Sequence, residues 1–237
     1  MAVSNTITSP KKLARMTGLL YLLVVGCGII SEILVTNIVF VPGNIAATAD
    51  KITIFGLAFR LGFIFLLLRL VFLTLLLLSL YKLFGQVQRD VCAAMLAFGL
   101  ISVAVTMVAL FFEFGAPLLL TSGNYASLFT TDQWLAQIQF FIDMQVQGDR
   151  AAQILSLWVV LLGVLIFKSG YVPKWLGILM MIAGVGYVVD FLVYFLVPQV
   201  DVQIAGWAFL AEVIFPFWLL IKGVDVAAWE SYALSEA

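Results

Sequence analysis

The stretch FIFLLLRLVFLTLLLLSLY, residues 63–81, carries one charge, Arg69. About 20 apolar residues in a helix cross the roughly 30 Å hydrocarbon core of a bilayer. Inside that core the backbone must satisfy its own hydrogen bonds, which leaves only helices and closed barrels. The run lacks the in–out alternation of a barrel strand, so it reads as a transmembrane helix. Similar segments recur at about 17–38, 54–82, 92–115, 136–167, 176–197 and 205–222 of the 237 residues. The chain is 64% hydrophobic and 11% charged, with a mean hydropathy of +1.17, against about 25% charged residues in a soluble domain. The expected fold class is all-α: a polytopic membrane protein, one integral domain over 1–237, formed as a bundle of six transmembrane helices.

Loop punctuation supports those boundaries: VPGN after the first segment, SGN at 122–124, SGYVPK before the fifth and VPQ after it. Lys11, Lys12, Arg15, Lys82, Arg89, Lys168, Lys174 and Lys222 fall on one side of a six-pass thread, and Lys51 alone on the other. Basic loops stay inside, so both termini are expected in the cytoplasm. Tyr171 and Trp175 then suit the inner aromatic belt, and Trp134 and Trp207 the outer one. Val-Val-Gly-Cys at 24–27 resembles a lipoprotein cleavage site, but the apolar run continues past Cys27 to Phe40. An uncleaved first helix is expected.

Several function classes lose support. The net charge of −1 offers no basic face for nucleic acid. With no histidine, the commonest general base and most zinc sites are gone. No nucleotide-binding loop, nucleophile elbow or metal motif is present; Gly26/Gly28 and Gly184/Gly186 lack the preceding strand a phosphate cradle needs. No cofactor, metal or catalytic residue is therefore assigned. Cys27 and Cys92 read as packing residues.

Segments one and five share a pattern. GCGIISEILV (26–35) aligns with GVGYVVDFLV (184–193), and GLAFRLGFIF (56–65) with GWAFLAEVIF (206–215). A parallel duplication of 17–82 and 174–222 is one reading; chance likeness among apolar segments is the other. In each unit a glycine stands four residues before an acid, Gly28 with Glu32 and Gly186 with Asp190, so each pair shares a helix face. Small residues let membrane helices approach closely.

Counting about 1.5 Å per residue from the inner anchors places the deep charges in one layer of the outer half. Glu32, Arg69 and Asp190 lie about 20–23 Å deep, and Asp149 and Arg150 about 27–28 Å. Glu212 falls near the midplane, Arg60 and Glu113 reach the outer boundary, and Asp143 lies beyond it. Each central charge facing lipid costs about 2.5–3.5 kcal/mol, so four would rival a folding stability of about 5–15 kcal/mol. The charges must pair, hydrate or protonate. Glu32, Glu113, Asp149, Asp190 and Glu212 outnumber Arg60, Arg69 and Arg150. At least one acid is thus expected to be neutral or to hold a cation.

Segment four adds a polar face. Gln139, Asp143, Gln147, Arg150 and Gln153 share an arc of about 120°, and Thr131 reads as the helix N-cap. The face serves as a solvated helix end, as hydrogen-bonding glue, or as a wall for a ligand.

The motifs KKLARMTGLLYLL (11–23), SEILV (31–35), VPGNIAATADKI (41–52), AFRLG (58–62), SLYKLF (79–84), KSGYVPKWLGILMMIAGVGYVVD (168–190) and WLLIKG (218–223) span nearly the whole chain. Together they resemble a mainly bacterial membrane family, domain of unknown function 4386. The resemblance implies six membrane helices and brings no activity or site residue. It also implies an acid where Leu66 stands and histidines near Met144 and Trp158, so an activity needing those groups is in doubt here.

The reading is a multi-pass protein of a bacterial cytoplasmic membrane. It binds or moves a small molecule, ion or lipid head group in an outward-facing polar chamber lined by the nine charges named above. The alternatives are an accessory or sensor protein with structural charges, and a membrane-embedded lipid-modifying enzyme.

Overall fold

The computed structural model describes residues 9–121, 128–197, 199–200 and 204–235, and these are helical with no strand among them. The SGN turn at 122–124, Pro198 of the VPQ turn and the side chain of Trp207 lie outside the described residues.

Helix α1 is Pro10–Glu32, widened into a π turn at Ile33–Asn37; α2 is Ile45–Ile54, α3 Gly56–Phe84 and α4 Arg89–Thr121. Next come α5, Thr131–Gln153, a 3-10 turn at Ile154–Ser156, and α6, Leu157–Ser169. Helices α7 (Lys174–Leu196), α8 (Ala205–Ile221) and α9 (Val226–Ser235) follow among the described residues. Among the described residues five stretches are long and apolar enough to cross a membrane: Pro10–Val35, Gly56–Phe84, Arg89–Thr121, Thr131–Ser169 and Lys174–Leu196. The protein is thus an all-helical, multi-pass membrane protein. The expected sixth span is a shorter apolar helix, Phe209–Ile221.

Two helices escaped the hydropathy reading, and each is held by a cap. The Asn44 Oδ1 accepts the Ala47 N–H at 3.0 Å, so the chain after VPGN turns into α2 rather than running as loop. Thr48, Ala49 and Ile52 form its buried face. At the other end Asp225 Oδ1 accepts the Ala228 N–H at 3.1 Å and starts α9. The α5 cap lies one residue before the expected Thr131. Thr130 Oγ1 accepts the Gln133 N–H and Gln133 Oε1 accepts the Thr130 N–H, at 3.4 and 3.1 Å. This capping box fits T-T-D-Q because the glutamine stands three residues after Thr130.

The chain divides into two compact units. The first takes Met1–Leu23, Phe72–Leu100 and Ile154–Ala237; the second takes Val24–Val71 and Ile101–Gln153. In the first, α6 and α7 approach to backbone contact. A Cβ on Gly163 would stand 2.6 Å from the Gly177 carbonyl oxygen, and one on Gly177 would stand 2.7 Å from that of Gly163. Buried polar groups in this unit pair across helices. Thr17 Oγ1 and Ser79 Oγ share a 2.6 Å hydrogen bond, and the Tyr171 hydroxyl and Trp229 indole both donate to the Leu83 carbonyl. Tyr171 is therefore buried, not in the aromatic belt where its position suggested. Burial raises its phenol pKa, with the nearby Cys92 and Tyr232 adding to the effect. Trp175 is half-exposed and stands edge-to-face with Trp218.

The second unit packs around Val39, Ala49, Ile52, Phe59, Ala116, Leu119 and Ile138. Its α4–α5 contact is close because Gly148 has no side chain: a Cβ there would lie 2.6 Å from Ala109 Cβ.

Candidate functional site

That second core borders a partly open cavity of about 160 Å³. The π turn after Glu32 supplies Val35, α2 supplies Thr48 and Ile52, α3 supplies Phe59, and α5 supplies Gln145. One acid lines it, Glu113 of α4. Glu113 is only 7% exposed, and among the described residues neither carboxyl oxygen has a hydrogen-bond partner. Four residues on, Pro117 stands inside the helix. Proline has no N–H and crowds the carbonyl four residues back, so the Glu113 backbone oxygen also loses its helical donor. The wall offers little compensation. Thr48 Oγ1 is occupied by the Val41 N–H and the Asn44 carbonyl, and Gln145 Nε2 donates to Asp149 at 2.5 Å.

Of the nine charges expected to line a chamber, Glu32, Arg60, Arg69, Glu113, Asp143, Asp149 and Arg150 fall in the second unit, and Asp190 and Glu212 in the first. Glu113 lies within charge–charge range of Asp149, and Asp149 within range of Arg69 and Glu32. Those four form one chain of charges in the second unit. Arg69 packs on Gly28, whose Cβ would touch its side chain at 3.6 Å, one turn from Glu32. Glu32 and Arg69 are exposed and Asp149 is half-buried. Arg60 lines a neighbouring groove of about 440 Å³ that shares Ile52 and Phe59 with the cavity. Asp143 is exposed and accepts from Gln139 within its own helix at 2.7 Å; Arg150 is exposed at the end of α5.

Asp190 and Glu212 belong to the first unit. Asp190 is 9% exposed and accepts the Ile204 N–H at 2.9 Å, immediately before α8. A carboxylate there complements the positive end of the helix dipole. Glu212 lies within charge–charge range of the buried Tyr21 hydroxyl, in a pocket where Tyr21 meets Trp158 and Phe215. It too precedes a helix-interior proline by four residues, Pro216. The repeated Glu-x-x-x-Pro at 113–117 and 212–216 is the signal that composition and depth counting passed over.

Among the described residues no three His, Cys, Asp or Glu side chains gather as a metal site. Cys27 and Cys92 are buried packing thiols.

The model of the family described as Domain of unknown function (DUF4386) matches residues 16–223. The chain belongs to that family. An uncharacterized protein of Archaeoglobus fulgidus (strain ATCC 49558 / DSM 4304 / JCM 9628 / NBRC 100126 / VC-16) is 41% identical over 99 residues, 42% of this family member and 59% of the relative. The chain thus spans less than two thirds of that relative's length. That relative is archaeal, so the bacterial source expected from the sequence has no support from it. No solved structure matches the chain.

Proposed function

We propose that this family member binds a small, mainly apolar molecule carrying a hydrogen-bond donor or positive charge, in the cavity at Glu113. The observation that carries the reading is the pair of unpartnered carboxyl oxygens in a largely apolar cavity. A buried polar group without a partner costs free energy that a complementary ligand recovers. The volume suits a molecule near the size of benzene, which fits a cavity of about 150 Å³. Glu32, Arg69 and Asp149 form the charged approach to Glu113. Arg60 serves the adjoining groove. Asp143 and Arg150 line the outer face of α5, while Asp190 and Glu212 act in the first unit.

The proposal includes six spans in one membrane domain, with α8 as the sixth and both termini cytoplasmic. Seventeen residues give α8 a length of about 25 Å, at the short end of what a thinned bilayer accepts. The eight-to-one distribution of Lys and Arg sets the orientation. The threading fits a cytoplasmic membrane, and the similarity of 17–82 to 174–222 fits a duplicated pair of spans.

The test is a thermal-shift titration of the full chain in detergent with benzylamine, against Glu113→Gln and Glu113→Leu. Benzylamine should stabilise the wild type and neither variant. Equal stabilisation of all three removes the reading. A second reading, charges that only hold helices, is favoured for the first unit by the Asp190 hydrogen bond to Ile204.

A further inference from the structure

Three lysines that mark topology in the sequence, Lys11, Lys174 and Lys222, line one open pocket of about 700 Å³ in the first unit. Two loops form it. Each leaves a helix through a glycine with φ 71°, Gly170 and Gly223, and each begins a new helix within four residues. Only glycine takes that backbone conformation without strain. The Asp225 N–H donates to the Tyr171 carbonyl at 3.0 Å and ties the loops together. The Lys11 stem lies over Gly223, where a Cβ would come within 3.7 Å of Lys11 Cγ. Trp218 supplies an apolar wall.

Charge favours an anion there. Three lysines face one carboxylate, Asp225, whose Oδ1 already accepts the Ala228 N–H. Lys174 Nζ rests 5.5 Å from the Phe167 ring centroid, a weak partner that a ligand can replace. The starts of α7 and α9 border the same space, and helix N-termini favour negative groups.

We propose that this pocket binds the phosphate group of an anionic ligand, with Lys11, Lys174 and Lys222 as its cationic contacts. On the threading proposed above it lies at the cytoplasmic boundary, where anionic lipid head groups present such a phosphate. A soluble phosphate ester presents the same chemistry. The pocket shares no residue with the Glu113 cavity, so either proposal can fail alone.

The full chain in detergent is titrated in separate arms with dioctanoyl phosphatidic acid, dioctanoyl phosphatidylcholine and glycerol 3-phosphate, and binding is read by native mass spectrometry. Phosphatidic acid should bind at least about tenfold more tightly than phosphatidylcholine. The triple variant Lys11→Gln, Lys174→Gln, Lys222→Gln should weaken it on the order of 100-fold. The same charge change at Lys12, Lys82 and Lys168 should leave it intact. Lysine-dependent binding of glycerol 3-phosphate assigns the site to soluble esters, and binding of phosphatidic acid alone assigns it to lipid. No preference among the three ligands, or equal loss in both triples, overturns the proposal. If the first triple does not fold, acylation of wild-type amines decides. The bound ligand should shield Lys11, Lys174 and Lys222, and their unchanged labelling overturns the proposal.

Discussion

The two units treat their buried polar atoms differently. In the first, Thr17 meets Ser79, Asp190 meets the Ile204 N–H, and one carbonyl, Leu83, takes two donors from Tyr171 and Trp229. In the second, Glu113 has no hydrogen-bond partner at either oxygen among the described residues and lines a pocket. Pairing of the first kind removes the desolvation penalty of a buried group. Leaving a carboxyl unpaired retains that penalty, and the usual explanation is a ligand, ion or proton. The difference marks the first unit as the more completely self-satisfied and the second as the one that keeps a buried carboxyl without a hydrogen bond among the described residues. Tyr21 qualifies the contrast: its buried hydroxyl, in the first unit, lacks a hydrogen bond of good geometry although Glu212 is near.

The largest effect should come from the tight packing of the first unit. Gly177→Leu drives a side chain into the Gly163 carbonyl and the Phe167 backbone. It should lose on the order of 3–5 kcal/mol, seen as loss of monodisperse protein in size exclusion. A stable Gly177→Leu protein breaks the claim that α6 and α7 touch backbone to backbone.

Next comes Glu113→Leu, with the opposite sign. Replacing an unpaired buried carboxyl by an apolar side chain should raise stability by about 1–3 kcal/mol while abolishing benzylamine binding. Thermal unfolding with and without benzylamine checks both. A large loss of stability instead means that Glu113 is held by pairing, as the first unit's acids are, and the contrast disappears.

The long helices were legible because spanning length and apolarity are properties of sequence alone. The short ones were not. Helices α2 and α9 depend on single caps, Asn44 and Asp225, each satisfying one N–H three residues on, and hydropathy windows average such signals away. The site was half legible. Glu113 stood out as a charge in an apolar run, but depth counting ranked it with eight others. What separates it is the lack of partners, which only geometry gives, and Pro117 four residues on, which the sequence did offer. Asp190 went the other way. Its repeat with Glu32 placed it on a helix face beside a glycine, whereas the N–H that its oxygen accepts lies fourteen residues ahead, a contact that no periodicity encodes.

Tyr171→Phe sharpens the comparison from the first unit's side. Trp229 still serves Leu83, so the loss should be about 1 kcal/mol. The pH dependence carries more information. The folded-state pKa of Tyr171 is raised above its unfolded value, so its contribution is complete below the unfolded pKa of about 10 and is lost as pH rises beyond it. Unfolding measured from pH 8 to 11 should show an alkaline destabilisation that Tyr171→Phe reduces. An identical profile in the variant would place that titration elsewhere.

The two caps, whose effects are no larger, discriminate best. Asn44→Ala and Asp225→Ala should each cost about 1 kcal/mol. Their consequences for binding should differ. Helix α2 brings Thr48 and Ile52 to the cavity wall, so fraying it loosens the walls around Glu113, and benzylamine affinity should fall several-fold. The described lining of that cavity comes from the second unit, so Asp225→Ala should leave the affinity unchanged at the same stability loss. If both variants weaken benzylamine equally, the ligand senses global stability and the cavity at Glu113 is not where it binds.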